Sequence, residues 1–297
     1  MPLSAKDIFQ SRWSWPAHLQ KEITYRKPET KGGVGSLEVK SYHALVRTIG
    51  YCWFRSESSV LLRGQTKCYR SLAPSASRST DPAGLIGSMD AFLDRFRAAT
   101  NFDTGPIFQR TTEPTLQHYG LRTRWLDLVD SIPHALFFAT HRLVTSPFDP
   151  SKKAYIKSPK GEGVIYVIDV GDITPASVAG STIPGLFDTD WGGTVCDLRR
   201  AKPSHALRPH AQHGWLCRGP DGKLDLWDRV ILRIFFNVAD ARPWIDGALS
   251  VEPEGMFPPP SWDEVFKMLI SEKVNTFLTS ERATGLDLGE ILNFDFH

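Results

Sequence analysis

The sequence predicts an α+β protein with a mixed or antiparallel sheet core and flanking helices. Two segments, 163–170 and 229–237, are almost continuously apolar and rich in β-branched residues, as strands covered on both faces are. Helical patterns lie around them without the regular strand–helix alternation of a parallel sheet. We therefore expect one α+β core.

Composition places the chain among globular proteins. It has 297 residues, of which 41% are hydrophobic and 23% charged, which excludes disordered and fibrous classes. No stretch approaches the roughly twenty apolar residues that span a bilayer, and the first residues lack a signal-peptide core. The four cysteines are far apart and have neither CxxC spacing nor the density of a disulfide scaffold, so we expect reduced thiols. We expect a cytoplasmic protein without a membrane partner.

The net charge of +2 gives no general electrostatic footprint for nucleic acid, although local basic patches would still be compatible with it.

The chain divides by pattern into an N-terminal arm, 1–36, and a main body, 37–297. The arm begins with a helical pattern over 5–12 and continues through the polar, glycine-rich stretch 27–36. In the body, apolar residues at helical spacing from Leu37 to Ile49 precede a short buried strand, which ends at Arg63 and Gly64. Trp13 and Trp15 would be exposed on a flexible arm.

Four further segments have helix signals. Ser88 would cap a helix reaching Thr100, and Pro114 would open one that stops at Gly120. Ser131 would cap a helix over 131–144, and Ser261 one over 261–273. The polar stretch 146–163 is predicted to be an exposed loop.

Arg63, Gly64 and Gln65 follow the apolar strand directly. A glycine there would let the backbone approach a ligand closely, and the planar arginine side chain suits phosphate or carboxylate. The alternative is a structural ion pair at the end of a strand.

A second polar cluster runs from Gln117 to Asp127. His118 would act as an acid or base near neutral pH, Tyr119 would stack on a planar ligand, and Asp127 would orient Arg124 or His118. The alternatives are an interior histidine, ordinary packing of the tyrosine and a structural salt bridge.

A third cluster spans 208–216 and contains two histidines three residues apart. That spacing would bind a metal only on a helix, which Pro209 and Gly214 disfavour. We expect no metal, and we expect Gln212 to hydrogen-bond a ligand or a strained turn.

These motifs resemble the FRG domain of bacterial and phage proteins. The matching segments occur in the family's order over residues 41–292, and they read LLRGQ, SLAPSASR, LQHYGLRTRWLDLVDSIPHALFFA and RPHAQHGWL. Leu62 stands where the family has an aromatic residue, and Arg122 where it has proline. The resemblance implies a shared pocket formed by Arg63, Gln65, His118, Tyr119, Thr123, Arg124, Asp127, Arg208 and Gln212.

The Arg63–Gly64 motif also resembles the first dinucleotide-binding motif of ADP-ribosyltransferases, which implies a related fold and an NAD-like cofactor. Gln212 would occupy the place of their third motif, but Gly214 stands where those enzymes have a glutamate. The implied catalytic residues are His118, Asp127 and Gln212. The implied cofactor-binding residues are Arg63, Gly64, Gln65, Tyr119, Thr123, Arg124 and Arg208.

The resemblance therefore suggests an effector of bacterial and phage conflict that binds NAD or a related nucleotide and transfers or hydrolyses its ADP-ribose, under control of a partner or inhibitor protein. Arg63 and Arg124 would hold phosphates, and Tyr119 would stack on the base or nicotinamide. The alternative is a non-catalytic module that recognises a phage protein or a nucleic acid. A nuclease is less favoured, because no carboxylates have metal-binding spacing.

Overall fold

The computed structural model describes residues 4–28, 33–103, 105–220, 225–245 and 251–294. Part of the predicted glycine-rich stretch, 29–32, lies outside these ranges. The described strands are β1 Ile23–Arg26, β2 Ser36–Val39, β3 Ser59–Gln65, β4 Leu126–Val129, β5 His141–Thr145, β6 Lys153–Lys157, β7 Glu162–Gly171, β8 Ile173–Val178, β9 Ser181–Thr189, β10 Thr194–Asp197, β11 Gly214–Arg218 and β12 Val230–Asn237.

The α-helices within the described ranges are α1 Ala5–Ser11, α2 Ala17–Gln20, α3 Tyr42–Arg55, α4 Pro82–Thr100, α5 Pro106–His118, α6 Ile132–Thr140, α7 Leu198–Ala201, α8 Leu207–Ala211, α9 Val238–Ile245, α10 Pro253–Met256, α11 Glu264–Leu269 and α12 Glu272–Ala283. None of them is both long enough and apolar enough to cross a membrane.

Ten strands form one sheet in the order β1-β2-β12-β7-β3-β4-β11-β10-β9-β8, and β5 pairs with β6 in a separate hairpin. The pairing of β2 with β12 is parallel, and the other pairings are antiparallel. The predicted α+β class with a mixed sheet is thus confirmed. The apolar segments 163–170 and 229–237 form β7 and β12, which are neighbours near the centre of the sheet.

The N-terminal helices pack against the sheet, and β1 is one of its edge strands. Ile8, Trp15 and Ile23 are buried in the same hydrophobic cluster as Ile49 of α3 and Ile165 of β7. The prediction that Trp15 is exposed on a flexible arm is therefore wrong, because this residue is 5% exposed, whereas Trp13 is 69% exposed. The division of the chain at residue 36 stays a prediction.

Two helices begin earlier than predicted. Helix α4 starts at Pro82, because Asp81 caps it by accepting a hydrogen bond from the Gly84 amide at 2.9 Å, so Ser88 lies inside the helix. Helix α5 starts at Pro106, and Pro114 lies within it rather than at its first turn. In both helices, a proline in the first turn marks the true beginning.

Three other boundaries also differ from prediction. Helix α6 ends at Thr140, and the residues after it form β5, which pairs with β6 inside the stretch predicted to be a loop. The helix predicted over 261–273 is two helices: Asp263 caps α11 and Ser271 caps α12. A capping carboxylate or hydroxyl satisfies amides that the helix itself leaves free.

Candidate functional site

A cavity of about 400 Å³ lies where the neighbouring strands β3 and β4 meet the C-terminal end of α5. It brings together five residues predicted for the site from the three separate sequence clusters. These are Arg63, Gly64, His118, Asp127 and Gln212.

Arg63 projects from β3 and is partly buried. Its Nη1 donates a hydrogen bond to the backbone oxygen of Asp127 at 2.5 Å, and its buried Nε has no hydrogen-bond partner. Burial lowers the pKa of Arg63; the charge of Asp127 opposes this effect, and the positive charge of Arg78 adds to it. The site thus holds a guanidinium whose hydrogen-bonding capacity is incompletely used.

Arg78 also lines the cavity, at the end of the short 3-10 helix Ser75–Arg78, and it is exposed. Its Nη1 donates one long hydrogen bond, 3.4 Å, to the backbone oxygen of Ala73. Among the described residues, neither Arg63 nor Arg78 has a carboxylate within 4.0 Å of its guanidinium. Two cations without a carboxylate in direct contact favour an anionic ligand in this cavity, where the Asp127 carboxylate acts on Arg63 only through space.

Asp127, on β4, is the acidic group of the cavity. Gln117 Nε2 donates to its Oδ2 at 2.8 Å, and His118 Nδ1 lies 3.7 Å from its Oδ1. Although burial acts to raise the pKa of Asp127, His118, Arg63 and Gln117 together hold it below its ordinary value. The carboxylate is therefore ionised at neutral pH, and its side chain remains 40% exposed towards the cavity.

Gln117 connects the sequence motifs that surround Asp127. Its Oε1 accepts hydrogen bonds from Ser75 Oγ at 2.6 Å and from Thr123 Oγ1 at 2.9 Å, while its Nε2 serves Asp127. Thr123 is buried and does not line the cavity. Thr123 therefore belongs to the network that orients Gln117. The sequence had suggested that it contacts a ligand directly.

His118 lies behind Asp127, at the end of α5. Its side chain is 5% exposed, and Gly214 lies so close to its ring that an added Cβ would come within 2.7 Å of Cε1. Its Nε2 is buried without a partner. The ring is thus placed to position Asp127, whose side chain is the more exposed of the two in the cavity wall.

Gln212 follows α8 and lines the cavity while being 5% exposed. Its Nε2 donates to the backbone oxygen of Met256 at 2.8 Å. The amide nitrogen therefore anchors the C-terminal end of α10 beside the cavity.

Residues 58–146 match the family model of the FRG domain. This chain carries an FRG domain. The match spans β3, α4, α5, β4, α6 and β5, and it includes Arg63, Arg78, Gln117, His118 and Asp127. A search of curated proteins and a search of solved structures found no significant match.

Gly64 of the FRG domain is required by packing inside the protein. A Cβ at this position would lie 1.8 Å from the backbone oxygen of Ala135, so α6 approaches β3 directly over the glycine. Helix α6 thus makes a close approach to Gly64, and the predicted contact of Gly64 with a ligand stays a prediction. Gln65 lines an adjoining cavity and does not line the one around Asp127.

Two predicted cofactor-binding residues of the family motif lie in the hydrophobic core. Tyr119 is fully buried, and its hydroxyl donates to Asp263, with O···O distances of 2.9 and 2.7 Å to the two carboxylate oxygens. Arg208 is also fully buried, with its guanidinium carbon 4.7 Å from the Tyr119 ring centre and 4.3 Å from that of Phe266. The prediction that Tyr119 stacks on a ligand is wrong, because Asp263 and Arg208 surround it.

Arg124 lies outside the FRG-domain cavity. Its Nη2 is 2.8 Å from Glu113 and 2.6 Å from Asp90. These carboxylates occupy the guanidinium, which corrects the expectation that Arg124 holds a phosphate and that Asp127 orients it. Arg124 thus forms structural salt bridges with Glu113 and Asp90, and not with Asp127 as the alternative from the sequence had it.

Aromatic residues beyond the matched FRG segment complete the cavity, and sequence reasoning missed them. Tyr155 on β6 stacks on Phe257 with ring centres 4.8 Å apart and planes inclined by 14°, and both residues line the cavity. The short apolar run 154–156 between two lysines could have revealed the strand that carries Tyr155. Burial raises the pKa of Tyr155 above its ordinary value, so its hydroxyl stays protonated.

Metal-binding geometry is not found in the described ranges: no group of three or more histidine, cysteine, aspartate or glutamate side chains is arranged around a common point there. His213, one of the two histidines considered for a metal, has its Nδ1 3.0 Å from Asp130 Oδ1 and 3.1 Å from Arg199 Nη1.

Proposed function

We propose that the cavity binds NAD or a closely related nucleotide, and that the bound nucleotide loses its nicotinamide by hydrolysis or by ADP-ribosyl transfer. One observation supports this most directly. Two arginines without carboxylate partners, Arg63 and Arg78, share a cavity with an ionised carboxylate, Asp127, and a pair of stacked rings, Tyr155 and Phe257.

Each part of such a ligand has a matching group. Arg63 and Arg78 would hold the diphosphate, since guanidinium groups bind phosphate oxygens through charge-assisted hydrogen bonds. The apolar wall near Tyr155 and Phe257 would take a planar ring. A cavity of about 400 Å³ is within the size range of small-molecule sites.

Asp127 would stabilise the transition state. When the bond between the ribose and nicotinamide breaks, its electron pair leaves with nicotinamide, and positive charge develops on the ribose. A fixed carboxylate beside that charge lowers the barrier. Water or an acceptor hydroxyl then forms the new bond to the ribose carbon and releases its proton to the carboxylate or to solvent.

The glutamate expected from ADP-ribosyltransferases is replaced by Gly214, whose missing side chain leaves room for the ring of His118. In our proposal, Asp127 supplies the carboxylate from a different strand, β4, and His118 and Gln117 hold it in place. The likeness of the whole fold to ADP-ribosyltransferases stays part of the proposal. So do the setting of bacterial and phage conflict, a location in the cytoplasm and control by a partner protein.

The test is incubation of the purified protein with labelled NAD and a cell extract, reading nicotinamide release and label transfer together. We expect Asp127→Asn to lower turnover at least about a hundredfold, as loss of a transition-state charge contact does. The matched control is Asp240→Asn on α9, an exposed aspartate away from the cavity. Absence of turnover by the folded wild type would favour the recognition module instead.

A further inference from the structure

A second, broader cavity of about 840 Å³ adjoins the first one. The two share Arg63, Gly64, Phe138, Leu143 and Tyr155 as lining residues, so they meet along β3 and the β5–β6 hairpin. We call the second cavity the basic groove and define it by Lys67, Arg142 and Lys160, with Tyr69 at its edge.

The basic groove carries uncompensated positive charge. Lys67, Arg142 and Lys160 are exposed, and none of them has a described carboxylate within 4.0 Å. They come from three different parts of the chain: the segment after β3, the strand β5 and the segment before β7. One carboxylate is present among the described lining residues, Glu162, and Arg26 binds it at 2.7 Å.

This local charge contrasts with the nearly neutral chain, whose net charge is +2. Three cations on one open surface concentrate positive potential where the rest of the protein provides little. An extended ligand with repeated negative charges complements such a surface.

The aromatic side chains in the basic groove indicate which class of polyanion it binds. Tyr69 is 51% exposed, and Phe138 is partly exposed at the boundary between the two cavities. Rings beside a row of cations allow unpaired bases to stack while the cations contact the phosphates, which an acidic peptide or a base-paired duplex does not exploit.

We propose that the basic groove binds single-stranded nucleic acid, with Lys67, Arg142 and Lys160 contacting its phosphates and Tyr69 stacking on a base. This inference goes beyond the proposed function, because it requires no turnover of a nucleotide. A strand seated in the basic groove would lie beside the nucleotide cavity at Arg63.

The first test measures the fluorescence anisotropy of labelled single-stranded DNA and RNA of about twenty nucleotides over a range of salt concentrations. We expect saturable binding. The triple variant Lys67→Gln, Arg142→Gln, Lys160→Gln should bind at least about tenfold more weakly at about 50 mM salt. It should also show a salt slope smaller by about 2, since each phosphate contact on a single strand contributes about 0.7.

The matched control removes the same charge from other exposed positions, through Arg55→Gln, Lys267→Gln and Lys273→Gln. Equal weakening by both triple variants would overturn the proposal, as would no saturable binding or equally effective competition by poly-glutamate or duplex. The groove variant should still bind NAD as the wild type does. If the wild type did not bind NAD, the proposed function would be refuted, and the result for the basic groove would still stand.

The second test locates the strand. Cys68 lines the basic groove and is exposed, whereas Cys52, Cys196 and Cys217 are buried, so a maleimide should modify Cys68 selectively. We expect a bound strand to slow this modification several-fold, as followed by mass spectrometry. An unchanged rate at saturating oligonucleotide would place the strand elsewhere and contradict the proposal.

Discussion

Two buried arginines of this protein differ in what surrounds them. Arg208 is enclosed by aromatic rings, and burial lowers its pKa to about 10, with Tyr119 and Asp263 opposing that effect. Both have buried guanidinium nitrogens without a hydrogen-bond partner, Nε and Nη1 in Arg208 and Nε in Arg63, but only Arg63 of these two lines the cavity. Arg208 is thus enclosed in the core, and Arg63 lies where an incoming anion can reach it.

His134 on α6 is a residue whose protonation should control stability. Its Nε2 lies 2.9 Å from the backbone oxygen of Ala211, so Nε2 carries the proton, and Nδ1 accepts from Ser131 Oγ at 2.7 Å. Burial lowers its pKa, with the Ala211 carbonyl opposing this effect and His213 adding to it; Asp130 and Arg199 also face the ring. The folded protein therefore favours the neutral form.

We predict that stability falls as pH decreases through about 6.5, because the unfolded chain then takes up a proton that folded His134 resists. His134→Gln keeps a donor for Ala211 but cannot titrate, so its melting temperature should fall less between pH 7.5 and 5.5. The exposed His18→Gln serves as control. Identical pH dependence of wild type and His134→Gln would contradict this prediction.

Helix α6 is positioned by the glycine of β3. The backbone oxygen of Ala135 occupies the space where a side chain at position 64 would begin. This contact brings Ala135 and Ala139 of α6 into the same buried cluster as Leu62 and Ile165 of the central strands. Small residues on both elements thus allow the helix to lie directly on the sheet.

Gly64→Ala should destabilise the protein by about 3 kcal/mol or more, because the added methyl meets backbone rather than a movable side chain. Gly87→Ala is the matched control: it lies in α4, and its added Cβ would have no neighbour within 4 Å, so it should stabilise by about 0.5 to 1 kcal/mol. Urea denaturation of both variants measures this. Similar changes in the two free energies of unfolding would refute the packing argument.

The same two elements show how much of the fold could be predicted from the sequence. The strand that carries Arg63 and the helix that begins after Ser131 were predictable, because strong apolar patterns and a proline at the first turn mark them. The end of α6 was not predictable, since the next residues form β5, which is stabilised by its pairing with β6 in the folded structure. Arg63, Asp127 and Gln212 were predicted together from motifs, whereas Phe257 reaches the cavity only through the fold.

At the scale of the whole molecule, the first residues and the sheet form one hydrophobic unit. Strand β1 lies at the sheet edge and pairs with β2, and Arg26 at its end binds Glu38 and Glu162. Ile8, Trp15 and Ile23 are each at least 95% buried. The N-terminal residues thus contribute to the stability of the body.

Deleting residues 1–26 should lower the free energy of unfolding by an amount on the order of 5 kcal/mol, given three large apolar side chains at about 1.5 to 3 kcal/mol each. Calorimetric melting of the full chain and the truncated chain checks this. An unchanged melting temperature would show that residues 1–26 do not contribute to the stability of the body and belong to a separate arm, which the sequence had suggested for residues 1–36.

The most direct test of the central claim is calorimetric titration of the purified protein with NAD. We predict saturable binding of one NAD per chain. Arg63→Ala should bind at least about tenfold more weakly, because it removes a charge-assisted contact with phosphate, while Arg55→Ala, an exposed arginine outside the cavity, should bind as the wild type does. No saturable heat with folded wild type, or equal affinity of Arg63→Ala, would contradict the claim that this cavity is a nucleotide site.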